Sequence, residues 1–312
     1  MSLALEALRK EGLEHKGYGC LIVVIWPDQI FPLNCLAHMD LTEKLKSARN
    51  RDIKAFNHLF AQHEKQLKSY LYRLLTNRED VEDFYHNTFV KAFDKIASFR
   101  GEPGQFRSWI FTIATRLVYN HLERRKRWNL DAQDVCRDSL VNDPSAQSSF
   151  MGKVTTSKNN VYEIKEHIDF CFTCITKTLS IEQQISLMLA DIYHFKVSEV
   201  AEIINRSIGK VKHYLRDARG NMSEVFHGRC ALINKDGVCH QCSELQGIFD
   251  PQVDTYREAM KLKMVKDAKD SSKDELFQLR EAIVNPINPI DNKGMDLHDA
   301  LMQHMKKVNK LD

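Results

Sequence analysis

One stretch, Ser98–Trp128 (SFRGEPGQFRSWIFTIATRLVYNHLERRKRW), constrains this chain more than any other. Arg100-Gly101-Glu102-Pro103-Gly104 is a loop by composition, because glycine and proline punctuate regular structure. From Gln105 the apolar residues Phe106, Ile110, Ile113 and Leu117 recur at helical spacing, while Thr112, Arg116, Asn120, Glu123 and Arg127 take the opposite side. The helix closes on Arg124-Arg125-Lys126-Arg127, where its dipole favours cations. Such a run by itself is a solvated helix end. Here it adjoins Trp109, Phe111, Tyr119 and Trp128, and charge combined with stacking surfaces is how single-stranded nucleic acid is held. For Trp109, core packing is the simpler reading.

The flanking sequence is helical as well. From Asp52, apolar residues Ile53, Phe56, Leu59, Phe60, Leu67, Leu71, Leu74 and Leu75 predict one long amphipathic helix that closes at Thr76-Asn77. A second starts near Arg78, with Glu79, Asp80, Glu82 and Asp83 suited to the positive end of its dipole. Residues 129–160 are polar and carry no sustained period, which predicts a flexible linker. Helices follow over Val161–Thr178 and Ile181–His194. Val197–Ile204, the turn Asn205-Arg206-Ser207 and Ile208–Phe226 then form a helix-turn-helix pattern, whose second helix enters the major groove of duplex DNA. Val200, Ile203, Val211 and Leu215 would join the pair. Lys210, His213, Tyr214 and Asp217 would face the bases, with Lys212, Arg216 and Arg219 toward phosphates.

The expected fold class is therefore all-α: two small helical domains joined by a linker, plus a helical C-terminal extension. At 312 residues the chain can hold two domains and a third small one. The net charge of +3 is too small to identify a partner until its distribution is read. The apolar run Cys20–Trp26 is too short to span a bilayer, and Glu11 and Glu14 spoil a positive leader, so neither membrane insertion nor secretion is expected. Met39 opens a regular pattern that needs nothing upstream, which makes residues 1–38 an atypical extension.

Eight cysteines without a secretion signal point to a reducing, cytoplasmic setting and to metal or redox chemistry instead of a disulfide framework. Cys230, Cys239 and Cys242 form a C-x8-C-x2-C set on a turn-rich segment, and Cys-x-x-Cys in a turn is the usual knuckle for zinc. The fourth ligand stays open among His227, His240, Cys171 and Cys174; His167, Cys171 and Cys174 share one helix face. A structural zinc, a thiol redox switch and plainly buried cysteines are the three readings.

Together the two halves resemble a known family. Asp80-Val81-Glu82-Asp83-Phe84, Phe89-Val90-Lys91-Ala92-Phe93, Phe99-Arg100-Gly101-Glu102, Phe106-Arg107-Ser108-Trp109-Ile110 and Ile113-Ala114 are similar to region 2 of sigma-70-family factors of the extracytoplasmic-function (ECF) group. Leu179-Ser180-Ile181-Glu182-Gln183-Gln184, Ser198-Glu199-Val200-Ala201-Glu202-Ile203 and Ser207-Ile208-Gly209-Lys210-Val211-Lys212-His213 resemble region 4. The resemblance implies a promoter-recognition subunit whose partners are RNA polymerase core, promoter DNA and, in many family members, an anti-sigma factor. It places Asp83, His86 and Asn87 on the polymerase-binding face. Arg100, Glu102, Arg107, Arg116 and Asn120, with the run Arg124, Arg125, Lys126 and Arg127, fall near the captured −10 strand. Lys210, Lys212, His213, Tyr214, Arg216 and Arg219 fall at the −35 duplex. His86-Asn87 stands where the family commonly has Gln-Glu, Arg116 where it has Asn, and Asn120 where it has Asp.

The implied division is residues 1–38 extension, 39–128 region 2, 129–160 linker, 161–228 region 4, 229–250 cysteine knuckle and 251–312 helical tail, which the resemblance does not require. No phosphate-cradling Gly-rich loop is present, so the expected protein is not an enzyme, and no cofactor is required beyond a structural zinc. Two other classes compete: a stand-alone helix-turn-helix regulator, against which the region 2 motifs speak, and a cysteine oxidoreductase, for which only Cys239 and Cys242 speak.

Overall fold

The computed structural model describes residues 23–26, 29–155 and 162–311, with side-chain surroundings described from Asp40 onward. Most of the N-terminal extension lies outside these residues. Its described part is an antiparallel hairpin, β1 (Val23–Trp26) and β2 (Gln29–Pro32), with Val23 opposite Pro32 and Trp26 opposite Gln29. Helix α1 (Leu33–Arg49) follows directly, so helix begins ahead of Met39.

The long helix expected after Asp52 is two, α2 (Ile53–Ala61) and α3 (Glu64–Leu75), parted at Gln62-His63. Asp52 caps α2 by accepting from the amides of Lys54 and Ala55, and α3 ends where Thr76 turns left-handed at φ 54°. Asn77 caps α4 (Arg78–Lys95) in the same way, accepting from Glu79 and Asp80. Pro103 opens α5 (Pro103–Leu122), its missing amide costing nothing in a first turn. Phe56 anchors the bundle, its ring 5.1 Å from Phe89, 5.2 Å from Phe93 and 6.1 Å from Phe106.

Beyond residue 161, α8 (Ile164–Thr176) and α9 (Ile181–Leu187), extended by a π turn over Met188–Ile192, support the helix-turn-helix of α10 (Val197–Ile204) and α11 (Ile208–Arg229). Asn205 makes the turn in left-handed geometry, φ 53°, and Ser207 caps α11 by accepting from Lys210. Val200, Ile203, Val211 and Leu215 are all buried, as the periodicity demands.

One further expectation is corrected. Residues 129–160 contain α6 (Ala132–Asn142) and α7 (Pro144–Thr155) in place of a featureless linker. Ala132, Cys136, Phe150 and Val154 are buried against Leu297, Leu301, Met302 and Met305 of the last helix, α16 (Met295–Asn309). Alone these helices have too little apolar surface to persist; the distant helix supplies the missing face. The tail, whose apolar stripes are too thin for a core of its own, docks on the rest of the chain. Between α11 and α16 it forms α12 (Gln241–Phe249), two short helices α13 (Thr255–Ala259) and α14 (Lys263–Lys266), and α15 (Lys273–Val284), which packs on α8 and α11.

One hydrophobic core runs through both halves, from Phe56 and Phe111 to Val200, Met222 and Phe277. The seam carries Arg73 of α3, 1% exposed, which donates from Nη2 to Asp169 of α8 at 2.7 Å and to the Ile287 carbonyl at 2.8 Å. Its Nη1 donates to Ser69 and Tyr193. The carbonyl end of α3 is equally shared. Lys177 donates to Leu74 O, Arg125 to Leu75 O at 2.9 Å, and Lys306 of the tail to Thr76 O at 3.2 Å. These are the orphan acceptors every helix terminus must satisfy.

Candidate nucleic-acid interface

Helix α5 buries Phe106, Ile110, Phe111, Ile113, Ala114 and Val118 and thereby turns Arg116 and Asn120 to solvent, with Arg124, Lys126 and Arg127 exposed beyond its end. Arg100 and Glu102 are exposed in the preceding loop. Arg100 donates to Ala97 O at 2.7 Å, and Glu102 starts α5 with its amide donating to Gln105 Oε1 at 2.9 Å. Trp109 lies 4.8 Å from the Phe99 ring and 5.7 Å from Phe106, which is the core role expected for it.

Three basic residues of the −10 set are tied to distant segments of the chain. Arg125 bonds Asp80 at 3.1 Å in addition to the Leu75 carbonyl, so it braces α4 and α3. Arg127 donates to Thr178 O across the seam. Arg107 is held most closely: Nη2 donates to Tyr193 O at 2.5 Å, Nε to Gln66 at 3.1 Å, and the guanidinium lies 4.0 Å over the Phe195 ring. Burial lowers the proton affinity of Arg107, and burial together with Arg107 pushes His63 beside it down to about 4. A group expected at a DNA strand is thus covered by the helix-turn-helix half.

On α11, Lys210, Lys212, His213 and Arg216 are exposed, and Tyr214 is half-buried. Arg216 approaches His213 Nδ1 at 2.6 Å and donates to Asp217 at 3.0 Å, which aligns the three along one face. Arg219 departs from the expected set: it donates to both oxygens of Asp191, at 2.8 and 2.5 Å, and so ties α11 to the π turn. Asp83, His86 and Asn87 stand exposed on α4.

The knuckle forms locally. Cys230 and Cys239 pair in a parallel bridge, Cys239 N donating to Arg229 O and Ala231 N to Cys239 O. Gly237 is required there, since a Cβ would sit 2.8 Å from three backbone atoms of Arg229, Cys230 and Ala231. Cys242 enters the first turn of α12. Among the described residues, no three His, Cys, Asp or Glu side chains already stand in a coordinating arrangement.

Sequence reasoning missed Arg73, Asp169, Lys177 and Tyr193, the polar residues of the seam. Nothing in their spacing marks them, because each pairs with a segment far along the chain. Arg280 was legible: it falls four residues after Leu276 and four before Val284, on the apolar stripe of α15, and is 1% exposed.

The family description of sigma-70 region 2 matches residues 59–128, which spans α3, α4, α5 and the basic run. The curated relatives matched over 52% and 59% of this chain are likewise named RNA polymerase sigma factors. It is 26% identical over 164 residues to RNA polymerase sigma factor YlaC of Bacillus subtilis, covering 52% of this chain and 86% of that one. It is 26% identical over 175 residues to ECF RNA polymerase sigma factor SigG of Mycobacterium tuberculosis, where it spans 46% of the relative's length. Among solved structures it is similar to the sigma factor RpoE bound to anti-sigma factor NepR from Bartonella quintana, at 20% identity, TM-score 0.39, 56% of this chain and 98% of that one. The region 2 match ends at Trp128, well before the cysteine knuckle.

Proposed function

We propose that this factor directs bacterial RNA polymerase core to specific promoters in the cytoplasm and begins strand opening there. The observation that carries the reading is the pair of basic surfaces, each built by its own helical unit: the exposed end of α5 within the region 2 match, and the outer face of α11 in a helix-turn-helix. The first suits an unstacked strand, held by charge and stacking, and the second suits duplex. Unstacking costs a few kcal/mol per step, and capture of the extruded bases offsets it without nucleotide hydrolysis. Asp83, His86 and Asn87 offer an exposed helix face to the polymerase. Among the described residues no helix is long and apolar enough to cross a membrane.

The arrangement of the two halves adds a condition. Elements at −10 and −35 are separated by about 25 base pairs, or roughly 85 Å at 3.4 Å per base pair. Arg107 touches Tyr193 and Phe195, so the halves must part before both elements are read. Run-off transcription with purified core polymerase on genomic templates tests the function: promoter-specific transcripts are expected, and their complete absence overturns it. Co-purification with core separates it from a stand-alone regulator.

A further inference from the structure

A cavity at the seam carries an inference independent of promoter reading. Its volume is about 310 Å³, and three parts of the chain build it: Arg125, Lys126 and Trp128 from just beyond α5, Lys177 from the end of α8, and Lys306 from α16. With Arg127, five cationic side chains line it, against the single carboxylate of Glu182. Glu182 is already engaged, accepting from the Tyr119 hydroxyl at 2.8 Å and pairing with Arg206 at 3.6 Å.

Helix capping accounts for only part of this cluster. Lys177 donates to Leu74 O, Arg125 to Leu75 O at 2.9 Å, and Lys306 to Leu75 O at 3.4 Å and Thr76 O at 3.2 Å, so three cations converge on three successive carbonyls. A helix C-terminus carries about half a negative charge, too little for the ammonium of Lys177 alone. Arg125 has Asp80 as well. Lys177 has no carboxylate: it is 8% exposed and makes no salt bridge among the described residues. An ammonium has three donors, and the Leu74 carbonyl takes one.

A buried cation ordinarily has an anionic partner, and the walls of the cavity say of what kind. Guanidinium forks beside lysine point charges are the groups that hold phosphate oxygens. Lys126 and Arg127 are exposed at the mouth, so an anion can enter from solvent. Buried Trp128 and Leu179 supply an apolar wall, aromatic in part, on which a flat ring could rest. The volume is at the small end of ligand sites, about 300–1,000 Å³, and admits a ligand no larger than a mononucleotide.

We propose that this cavity binds a small phosphate-bearing anion, held by Lys177, Arg125 and Lys306, with Lys126 at its mouth. The shared chemistry is the phosphate group, whether of inorganic pyrophosphate or of a nucleotide. No covalent bond forms or breaks. The binding groups come from both sides of the seam, so the anion fits the joined arrangement of the two halves and not the parted one. An occupied cavity therefore favours the joined arrangement, by an amount that grows with ligand concentration.

Isothermal titration calorimetry of the full chain with pyrophosphate, ADP and adenosine tests this. Pyrophosphate or ADP is expected to bind at about one per chain, more weakly as salt is raised, and adenosine is expected not to bind. Tighter binding of ADP assigns the apolar wall to a base; equal or tighter binding of pyrophosphate assigns the site to the phosphate group alone. Lys177→Met should weaken binding about 10–100-fold and Lys126→Ala about 2–5-fold, whereas Arg116→Ala, which removes an exposed cation of α5 outside the cavity, should match the parent. If Lys177→Met does not fold, the contrast between Lys126→Ala and Arg116→Ala decides. Absence of binding by both phosphate compounds, adenosine binding as tightly as ADP, affinity untouched in a folded Lys177→Met, or equal weakening by Lys126→Ala and Arg116→Ala overturns the proposal.

Discussion

Arg73 and Asp169, 2.7 Å apart and each 1% exposed, join α3 to α8. Burial pushes the Asp169 carboxyl up, and Arg73 opposes it. A buried pair of this kind adds little net stability over well-packed apolar residues, but it disfavours other ways of docking the two halves.

Removal of one partner is therefore costly and removal of both much less so. Arg73→Met should lower unfolding free energy by about 3–5 kcal/mol, while Arg73→Met combined with Asp169→Leu should lose less than the single change. Urea unfolding of the three proteins measures this. Equal losses in the single and the double variant would mean the pair does not act as a unit.

Arg107 should matter for strand capture and not for duplex binding. Arg107→Ala is expected to reduce run-off transcription about tenfold, ~1.4 kcal/mol, on a duplex promoter and to leave affinity for a −35 duplex unchanged. A pre-melted −10 bubble should recover part of the output. Loss of −35 affinity in a filter-binding assay would show that the residue supports region 4 instead.

Lys212 on the open face of α11 is predicted to contact phosphate. Lys212→Ala should weaken duplex binding about uniformly across sequences and reduce the slope of log affinity against log salt by about 1. A change confined to particular base pairs would assign it to base reading.

Acid should destabilise the fold. Burial lowers His167 to about 4, and burial with His167 beside it lowers His298 well below its usual value; His63 is lowered to about 4. A histidine whose folded value lies below its unfolded value of about 6.5 contributes stability present above pH 6.5 and lost as pH falls toward 4. Each fully buried one steepens that loss by up to ~1.4 kcal/mol per pH unit. Glu281, raised to about 8 by burial and Asp191, acts in the opposite sense, as do Asp169 and Asp299, whose carboxyls burial also raises, whereas His121 and His304, lowered by burial, add to the loss in acid. Thermal melts from pH 8 to pH 4.5 should show falling midpoints, and His298→Phe should flatten the decline.

What the sequence made legible is what is encoded locally. The helix starts at Asp52, Asn77 and Ser207, the apolar stripe of α5 and the Val200–Leu215 contact all follow from residues a few positions apart, and the structure keeps them. The seam is not local. Arg73 lies between Leu71 and Leu74 and looks like one more solvated charge on an amphipathic helix; its burial depends on Asp169 and the Ile287 carbonyl. Residues 129–155 lacked a convincing period because half of their packing surface belongs to α16. For the same reason Arg107 was readable as a basic residue beside a strand-binding loop, but not as one engaged by Tyr193 and Phe195.

The carbonyl end of α3 has a consequence in time. Thr76 O receives Lys306, 230 residues later in the chain. At a synthesis rate of about 5–20 residues per second, that acceptor waits roughly 12–46 s on the ribosome for its donor. Region 2 thus emerges well before the segment that completes it, and a nascent chain halted before the tail has an interval in which its halves are not yet fastened together.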